Sequence, residues 1–145
     1  MNLPGNFEDG PKGGKGIRMR LLDTDVMVDL LRDYPPALNW LSSQAQAPGL
    51  PGLVLIELLT GCRSKAEMNR LLRLLEPFQL YWPTDQDCRR AVSDLVKGHL
   101  THNLGAFEAL IGECTVGLSA TLCTFNQKHF RAIPNLVLEK PYPRT

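Results

Sequence analysis

The sequence lacks the features that mark several large classes of protein. Its 16 Lys and Arg residues are nearly balanced by 15 Asp and Glu, which leaves a formal net charge of only +1. No overall basic field therefore indicates a nucleic-acid binder. No apolar run approaches the ~18 residues of a membrane span, and the N-terminus has no secretory signal. We expect a soluble, cytoplasmic protein in which any binding of nucleic acid uses a local patch.

Cysteine motifs are missing as well. The four cysteines are scattered without a C-x-x-C pair, and each lies in or beside an apolar segment. Such spacing disfavours zinc ligands and disulfides. The sequence predicts free, buried thiols in a reducing compartment at Cys62, Cys88, Cys114 and Cys123.

Residues 1–18 have almost no apolar pattern, although they hold five of the 12 glycines. A segment of this kind cannot bury enough surface to offset the entropy lost on ordering. We expect it to be a flexible leader or an extension added during cloning, with Met19 as a plausible alternative start. Residues 19–145 are enough for one domain with an apolar core.

From residue 19 onward, short β-type runs alternate with helical patterns, which predicts βαβ units around a mostly parallel sheet. Ser64-x-x-Glu67 and Thr84-x-x-Asp87 have the form of helix caps. Strands are predicted over 20–23, 51–54, 78–81, 121–124 and 136–139, and helices over 26–32, 37–46, after each cap, and over 107–118.

The periodicity also predicts which helix faces are buried. In the helix that follows Thr84, an apolar stripe at helical spacing is expected to face the core. In the helix predicted over 107–118, Glu113 lies off the apolar stripe and is expected to be solvated. The apolar stripe of the helix after Thr84 consists of Cys88, Ala91, Val92, Leu95 and Val96.

Three carboxylates stand where an apolar core would not be expected to hold them. Asp23 lies at the carboxyl end of a predicted strand, where α/β sheets form their ligand crevice, but it also suits a helix N-cap. Glu57 interrupts the apolar run VLIELLTG. A metal ion, a buried Arg or a turn toward solvent must compensate its charge. Glu108 lies in the first turn of a helix, where it also complements the helix dipole.

Together, these acids begin three separate helices of a predicted parallel α/β domain. Carboxylates and water are the ligands that Mg²⁺ and Mn²⁺ prefer. The sequence therefore predicts an oxygen-ligand site for Mg²⁺, with Mn²⁺ as the other possible ion, formed by Asp23, Glu57 and Glu108.

Four segments occur in the order LLDTDVMVDLL, VLIELLTG, LGAFEALIG and ATLCTFNQKHFRAIPNL. In this order they resemble the PIN-domain family, and within it the VapC toxins of toxin–antitoxin pairs. The resemblance covers residues 19–142. It implies a Rossmann-like α/β fold of three layers, α/β/α, around a mostly parallel sheet of about five strands, with acids clustered at the carboxyl edge.

By this resemblance, Asp23 and Glu57 match the family's first two acids. Asp25 holds the neighbouring position, where a polar residue often assists the first acid. The third acid of the family is usually Asp, whereas this chain has Glu108, which is one methylene longer. A displacement of a carboxylate by ~1 Å can change metal affinity or rate sharply.

The fourth region, TFNQKHF, departs further from the family, which commonly has an Asp at the position of Asn126 or His129. Asn126 could hold a water beside the metal through its amide oxygen. His129 is either structural or a contact for phosphate or water, and Thr124 either orients a water or ends a strand. Lys128 and Arg131 are candidates for RNA phosphate contacts, with ordinary surface charge as the alternative.

The resemblance implies a Mg²⁺-dependent endoribonuclease, the toxin of a type II toxin–antitoxin pair, acting on tRNA or rRNA. It also implies a cognate antitoxin and a homodimer, to which the apolar helix over 68–75 could contribute. One alternative is a catalytically weakened PIN domain that binds RNA or a partner without cleavage. Another reads Asp23-Thr24-Asp25 as the D-x-D of a haloacid-dehalogenase-like phosphatase, but Val26-Met27 follows where that family has Gly-Thr.

Overall fold

The computed structural model describes residues 18–144 of the 145-residue chain. The expected leader over 1–18 lies outside the described residues, apart from Arg18. Within the described part, five strands alternate with seven helices. In chain order these are β1 (Arg20–Leu22), α1 (Thr24–Leu31), α2 (Pro35–Ser42), β2 (Leu50–Pro51), α3 (Gly52–Thr60), α4 (Lys65–Leu75), β3 (Leu80–Tyr81), α5 (Asp85–His102), α6 (Ala106–Gly117), β4 (Thr121–Cys123), α7 (Gln127–Phe130) and β5 (Val137–Glu139).

The strands form a continuous parallel sheet. β1 pairs with β4 and β4 with β5, while β2 pairs with β3. Gly49 joins the two groups, because its N–H donates to the Arg20 carbonyl at 2.8 Å and its carbonyl accepts from the Leu22 N–H at 3.0 Å. The order is therefore β3-β2-β1-β4-β5, and the predicted parallel α/β sheet is confirmed. The carboxyl ends of parallel strands share one edge, where α/β folds bind ligands.

The two central strands are buried on both faces, as is usual for parallel strands covered by helices. Leu21 and Leu22 of β1 and Leu122 and Cys123 of β4 have no exposed surface. They therefore read as continuous apolar runs in the sequence, which is why both strands were located correctly. The helices that complete this core contribute Val26, Met27, Leu30, Leu41, Val54, Leu71, Leu75, Ile111 and Phe130.

All four cysteines are free thiols, as predicted. Cys114 and Cys123 are buried, whereas Cys62 and Cys88 are partly exposed. Burial raises the pKa of Cys114 to about 11 and that of Cys123 to about 12, so both thiols stay protonated at neutral pH.

Both predicted helix caps are present. The Ser64 hydroxyl accepts from the N–H of Glu67 at 3.1 Å. Thr84 and Asp87 form a reciprocal capping box, with bonds of 3.1 and 2.9 Å between each side chain and the other's N–H. No helix over residues 18–144 has both the length and the apolar character needed to cross a membrane.

The predicted strand over 51–54 is wrong beyond Pro51, because α3 already begins at Gly52. A short apolar run cannot be assigned to a strand or a buried helix by periodicity alone. The first residue of α3 lies against Trp82, just after β3, since a Cβ on residue 52 would overlap the Trp82 ring. Glycine lets the ring pack directly on the first turn of α3.

The predicted buried face of α5 is wrong in part. Val92 and Val96 are 61% and 81% exposed. The face that packs on α6 instead carries small and acidic side chains, because an ion-pair network rather than an apolar stripe joins the two helices. The buried residues of α5 are Asp87, Ala91, Asp94 and Gly98.

That network also corrects the expectation that Glu113 is solvated. Glu113 is only 2% exposed, and its carboxylate accepts from Arg90 Nε at 2.6 Å. Nη2 of Arg90 donates to Asp87 at 2.5 Å. Burial, followed by the neighbouring Glu113 carboxyl, raises the pKa of Asp94. Oδ2 of Asp94 has no hydrogen-bond donor among the described residues. Arg90 is therefore the cation that Asp87 and Glu113 share between α5 and α6.

Replacing Arg90 by Ala is expected to destabilise the protein by about 3 kcal/mol, because Glu113 and Asp87 would stay buried without their cation. Urea unfolding at neutral pH measures this loss. The matched control is Arg89→Ala, whose pair with Asp85 is exposed and should contribute less than about 1 kcal/mol. Equal losses in the two variants would contradict a structural role for Arg90.

Candidate active site

The carboxyl edge of the sheet opens into a pocket of about 240 Å³. The predicted acids Asp23, Glu57 and Glu108 all line it, although they come from three segments that are far apart in sequence. Asp23 directly follows β1, and Thr124 directly follows the adjacent strand β4. The remaining lining residues are Thr24, Asp25, Ile111, Asn126 and Phe130.

Asp23 is the N-cap of α1, as its sequence position allows, and it also bonds to the residue that follows β4. Its Oδ1 accepts from the N–H of Thr24 at 2.8 Å, which caps α1. Its Oδ2 accepts from the hydroxyl of Thr124 at 2.7 Å. The side chain is only 6% exposed, so the carboxylate is both held in one orientation and largely withdrawn from water.

The Thr124 hydroxyl connects the loop after β4 to the start of α1. Its single proton is directed to Asp23, so its longer contact of 3.4 Å with Asp25 is the weaker one. The hydroxyl also accepts from the N–H of Asn126 at 3.0 Å. Asp25 closes the connection by accepting from the N–H of Phe125 at 2.9 Å. Both Asp25 and Thr124 therefore position the loop that carries Asn126.

The sequence predicts Glu57 at the start of a helix, but in the structure it lies further along α3. It is the sixth residue of α3, and its half-buried side chain turns into the pocket. Its Oε1 accepts from the Thr24 hydroxyl at 3.2 Å. A buried Arg was one of the ways in which the charge of Glu57 could be compensated. No such Arg bonds to Glu57 among residues 18–144.

Glu108 occupies the first turn of α6, as predicted. Its Oε1 lies 3.2 Å from Nδ1 of His129. His129 thus contacts an acid of the pocket, although it is not itself a lining residue. The two segments that the sequence singled out separately, the α6 start and the region around α7, meet through this contact.

The electrostatics of the pocket are dominated by unbalanced negative charge. Burial raises the pKa of Asp23 to about 7, and the charges of Asp25 and Glu57 act in the same direction. Burial also raises the pKa of Asp25 and of Glu57, and the charge of Glu108 adds to the second of these shifts. Across residues 18–144, neither Asp23 nor Glu57 forms a salt bridge with a basic side chain.

The donor set suits a hard divalent cation, because carboxylates and an amide side chain line one pocket, and two of the acids, Asp23 and Glu57, have no described cationic partner. The distances between these side chains fit a metal site less well. In the described part of the chain, no group of three or more His, Cys, Asp or Glu side chains is arranged closely enough to hold an ion. The described positions therefore offer a cation at most two of these side chains at once, with water as the remaining ligands.

The sequence does not predict the contacts that Tyr142 and Arg144 make with Asp29. The Arg144 guanidinium donates to both oxygens of Asp29, at 3.0 and 3.1 Å, and the Tyr142 hydroxyl donates to the same carboxylate at 2.7 Å. Arg144 also lies 4.2 Å from the centroid of the Phe125 ring, beside Asp25. No sequence spacing relates Asp29 to residues 142–144, so no local signal pointed to this contact.

The proposed phosphate contacts lie at the rim of the same region. Lys128 on α7 and Arg131 just after it are exposed. Neither side chain has a salt-bridge partner among the described residues, which leaves both cations available to a ligand. Neither lines the pocket itself.

A parallel α/β domain with carboxylates gathered at the carboxyl edge of its sheet belongs to the class of α/β folds that bind ligands at that edge. No protein-family model matches the chain, and no curated protein matches it by sequence. Solved structures match it over most of its length.

Three structures illustrate the likeness. VapBC2 from Rickettsia felis, bound to a DNA fragment from its promoter, is 25% identical, with 83% of this chain and 97% of that chain covered and a TM-score of 0.67. VapBC-1 from nontypeable Haemophilus influenzae is 21% identical, with coverages of 85% and 98% and a TM-score of 0.70. A toxin–antitoxin complex from Klebsiella pneumoniae is 21% identical, with the same coverages and a TM-score of 0.68. The chain shares the fold of these solved VapBC and toxin–antitoxin structures, in agreement with the predicted PIN-like fold.

Asp23→Asn is expected to stabilise the metal-free protein near pH 8. The pKa of Asp23 is 3.8 when exposed and about 7 in the fold. The folded wild type therefore keeps a proton that the unfolded chain has lost, and its stability falls as the pH rises between these values. Above about pH 7 the full penalty applies, at most about 4 kcal/mol. The amide that Asp23→Asn introduces does not ionise, so the stability of the variant does not fall in this way as the pH rises.

Urea unfolding in excess chelator, repeated from about pH 5 to about pH 8, measures the difference. Asp85→Asn is the matched control, because the Asp85 carboxylate is exposed. A variant Asp23→Asn that is less stable than wild type at the alkaline end would contradict a buried, uncompensated charge at this position.

Proposed function

We propose that this chain is a Mg²⁺-dependent endoribonuclease, the toxin of a type II toxin–antitoxin pair. The observation that carries the proposal is the meeting of Asp23, Glu57 and Glu108 in one pocket, where no described basic side chain forms an ion pair with Asp23 or Glu57. The VapC-type fold supports the same activity. Mn²⁺ is the alternative ion, since it accepts the same oxygen ligands.

In this proposal Asp23 and Glu57 hold the cation, with Asp25 and Asn126 beside them and Glu108 as the third acid. When bound, the ion supplies Lewis-acid activation of water and offsets charge on the scissile phosphodiester. The chain's own residues supply orientation. Thr124 and the N–H of Thr24 fix both oxygens of Asp23, so the first ligand is preorganised.

RNA is bound, in this proposal, by cations at the rim of the pocket. Lys128 and Arg131 are exposed and would contact backbone phosphates, which makes binding sensitive to salt. His129 is committed to Glu108, so we assign it a positioning role rather than a phosphate contact. Asn126 would hold a water through its amide oxygen. tRNA or rRNA is the expected substrate class.

The alternative is a PIN domain that binds RNA or a partner without cutting. Two departures from the family motivate it: Glu108 stands where Asp is usual, and Asn126 stands where an Asp is common. The spacing of the acids favours neither reading over the other, because all three line one pocket although no group of three is close enough to hold an ion in the described part of the chain.

Purified protein incubated with total tRNA or ribosomal RNA and Mg²⁺ is expected to produce discrete fragments, and excess chelator is expected to abolish them. Asp23→Asn and Glu57→Gln should reduce the initial rate by about 100-fold or more, because each removes a charged ligand. Asp85→Asn, which changes an exposed carboxylate, should retain the wild-type rate.

Each other outcome has a definite meaning. Identical fragments from wild type and Asp23→Asn would refute the nuclease proposal. Salt-sensitive RNA binding without fragments would favour the binding module. Hydrolysis of a small phosphate ester that depends on Asp23 would instead revive the phosphatase reading of Asp23-Thr24-Asp25.

A cognate antitoxin is the proposed protein partner. The similar structures from Rickettsia felis and Haemophilus influenzae are VapBC proteins, and the one from Klebsiella pneumoniae is a toxin–antitoxin complex. An acidic pocket with an exposed rim suits a partner segment that brings a basic side chain to Asp23 and Glu57. We expect both proteins, and the RNA, to meet in the cytoplasm.

We also propose a homodimer, and the exposed face of α5 is the surface that supports it. Val92, Val96 and Leu100 follow one another at i, i+4 and i+8, and they are 61%, 81% and 93% exposed. An apolar stripe of this kind is unusual on a monomer. The helix over 68–75 contributes less than expected, because Leu71 and Leu75 are in the chain's own core.

Val96→Glu is expected to convert a dimer to a monomer, because a carboxylate would be buried in the apolar interface without a partner. Light scattering coupled to size-exclusion chromatography measures the mass. Gln86→Glu, at another exposed position of α5, should remain dimeric. A wild-type chain that is monomeric at all accessible concentrations would refute this assignment.

A further inference from the structure

The carboxylate of Glu108 is folded back over the residue that caps its own helix. A Cβ on Gly105 would overlap Oε2 of Glu108 and lie 3.1 Å from its Cδ and 3.5 Å from its Oε1. On the other side, Oε1 lies 3.2 Å from Nδ1 of His129. Gly105 and His129 therefore form a cradle that receives this one carboxylate.

Two attractions and the space above Gly105 hold the carboxylate in the cradle. Glu108 is the third residue of α6, where a negative charge interacts favourably with the positive end of the helix dipole. Nδ1 of His129 donates a hydrogen bond when that nitrogen carries the proton. The missing side chain at Gly105 provides the space.

In the cradle, Glu108 is not part of a group of three described acids that could hold an ion. The charge of Glu108 still contributes to the raised pKa of Glu57. Glu108 is thus within electrostatic range of the pocket without being a ready ligand. Its chain of single bonds can swing without moving the helix backbone.

We propose that Gly105 and His129 form a resting site for the Glu108 carboxylate, and that this site competes with the divalent cation for the third acid. The inference rests on the proposed function only in requiring that the pocket binds such a cation. Because binding then includes release of Glu108, the apparent affinity is reduced by the fraction of molecules in which the acid is at rest.

The position of the Glu108 carboxylate requires the absence of a side chain at residue 105. A residue with a Cβ at position 105 would close the space to Glu108. Gly105 and His129 are therefore positioning residues, which act on the cation through Glu108.

The test fills the cradle. Gly105 has φ −90° and ψ 161°, an extended conformation that Ala adopts without strain. The displaced atoms belong to the end of a flexible side chain, so Gly105→Ala should fold normally. Calorimetric titration with Mn²⁺, without RNA, is expected to give about 3- to 10-fold tighter binding in Gly105→Ala than in wild type. His129→Ala should tighten binding in the same direction.

Two controls separate positioning from a general effect on the fold. In a Glu108→Gln background, adding Gly105→Ala should leave Mn²⁺ affinity unchanged, because no carboxylate is released. Gly61→Ala should also leave it unchanged, since a Cβ there would make only ordinary contacts with backbone carbonyls of α3.

The outcomes distinguish this inference from the function on which it rests. If wild type binds Mn²⁺ and Gly105→Ala binds it equally or more weakly, the resting site is wrong while the metal site stands. Weaker binding would mean that the position over Gly105 is itself the ligating one. If neither protein binds Mn²⁺, the proposed metal-dependent function fails, and the competition fails with it.

Discussion

The hydrogen bond from Thr124 to Asp23 depends on the pairing of the two central strands, and the site depends on that bond. β1 and β4 pair in parallel with Leu22 opposite Cys123, so the next residues, Asp23 and Thr124, emerge side by side at the carboxyl edge. Their 2.7 Å bond fixes a carboxylate that is only 6% exposed. Through the same hydroxyl and through Asp25, the loop carrying Asn126 is held against the start of α1.

The chain buries acids in two places and treats their charge differently. Between α5 and α6, Arg90 bonds to both Asp87 and Glu113, and the cluster serves to join the helices. At the carboxyl edge, Asp23 and Glu57 have no such partner in the described part of the chain, and the pKa of each is raised first by burial. Uncompensated burial of charge costs several kcal/mol. A fold can keep uncompensated buried acids where a bound ligand offsets their charge. The acids at the carboxyl edge, rather than those between α5 and α6, are therefore the candidate site.

The departures from the family pattern are coupled to the local structure around them. Glu108 is longer than the usual Asp, and Gly105 and His129 accommodate the extra length by receiving its carboxylate. Asn126 loses the negative charge of an Asp, yet its N–H remains tied to Thr124, so the loop keeps its position. The resemblance predicted which residues would meet; it did not predict that Glu108 would have a second place to rest.

Much of the fold was determined by the sequence itself, because the relevant signals are local. The capping box of Thr84 and Asp87 and the apolar runs of β1 and β4 depend on residues within a few positions of one another. The order of the acids along the chain likewise predicted the shared pocket. Only the tertiary structure decided which face of α5 is buried, where α3 begins, and which side chains Glu108 and Asp29 contact. Those choices depend on Glu113, Trp82, His129 and Arg144. Each is brought into place by packing between segments far apart in sequence, which no local periodicity encodes.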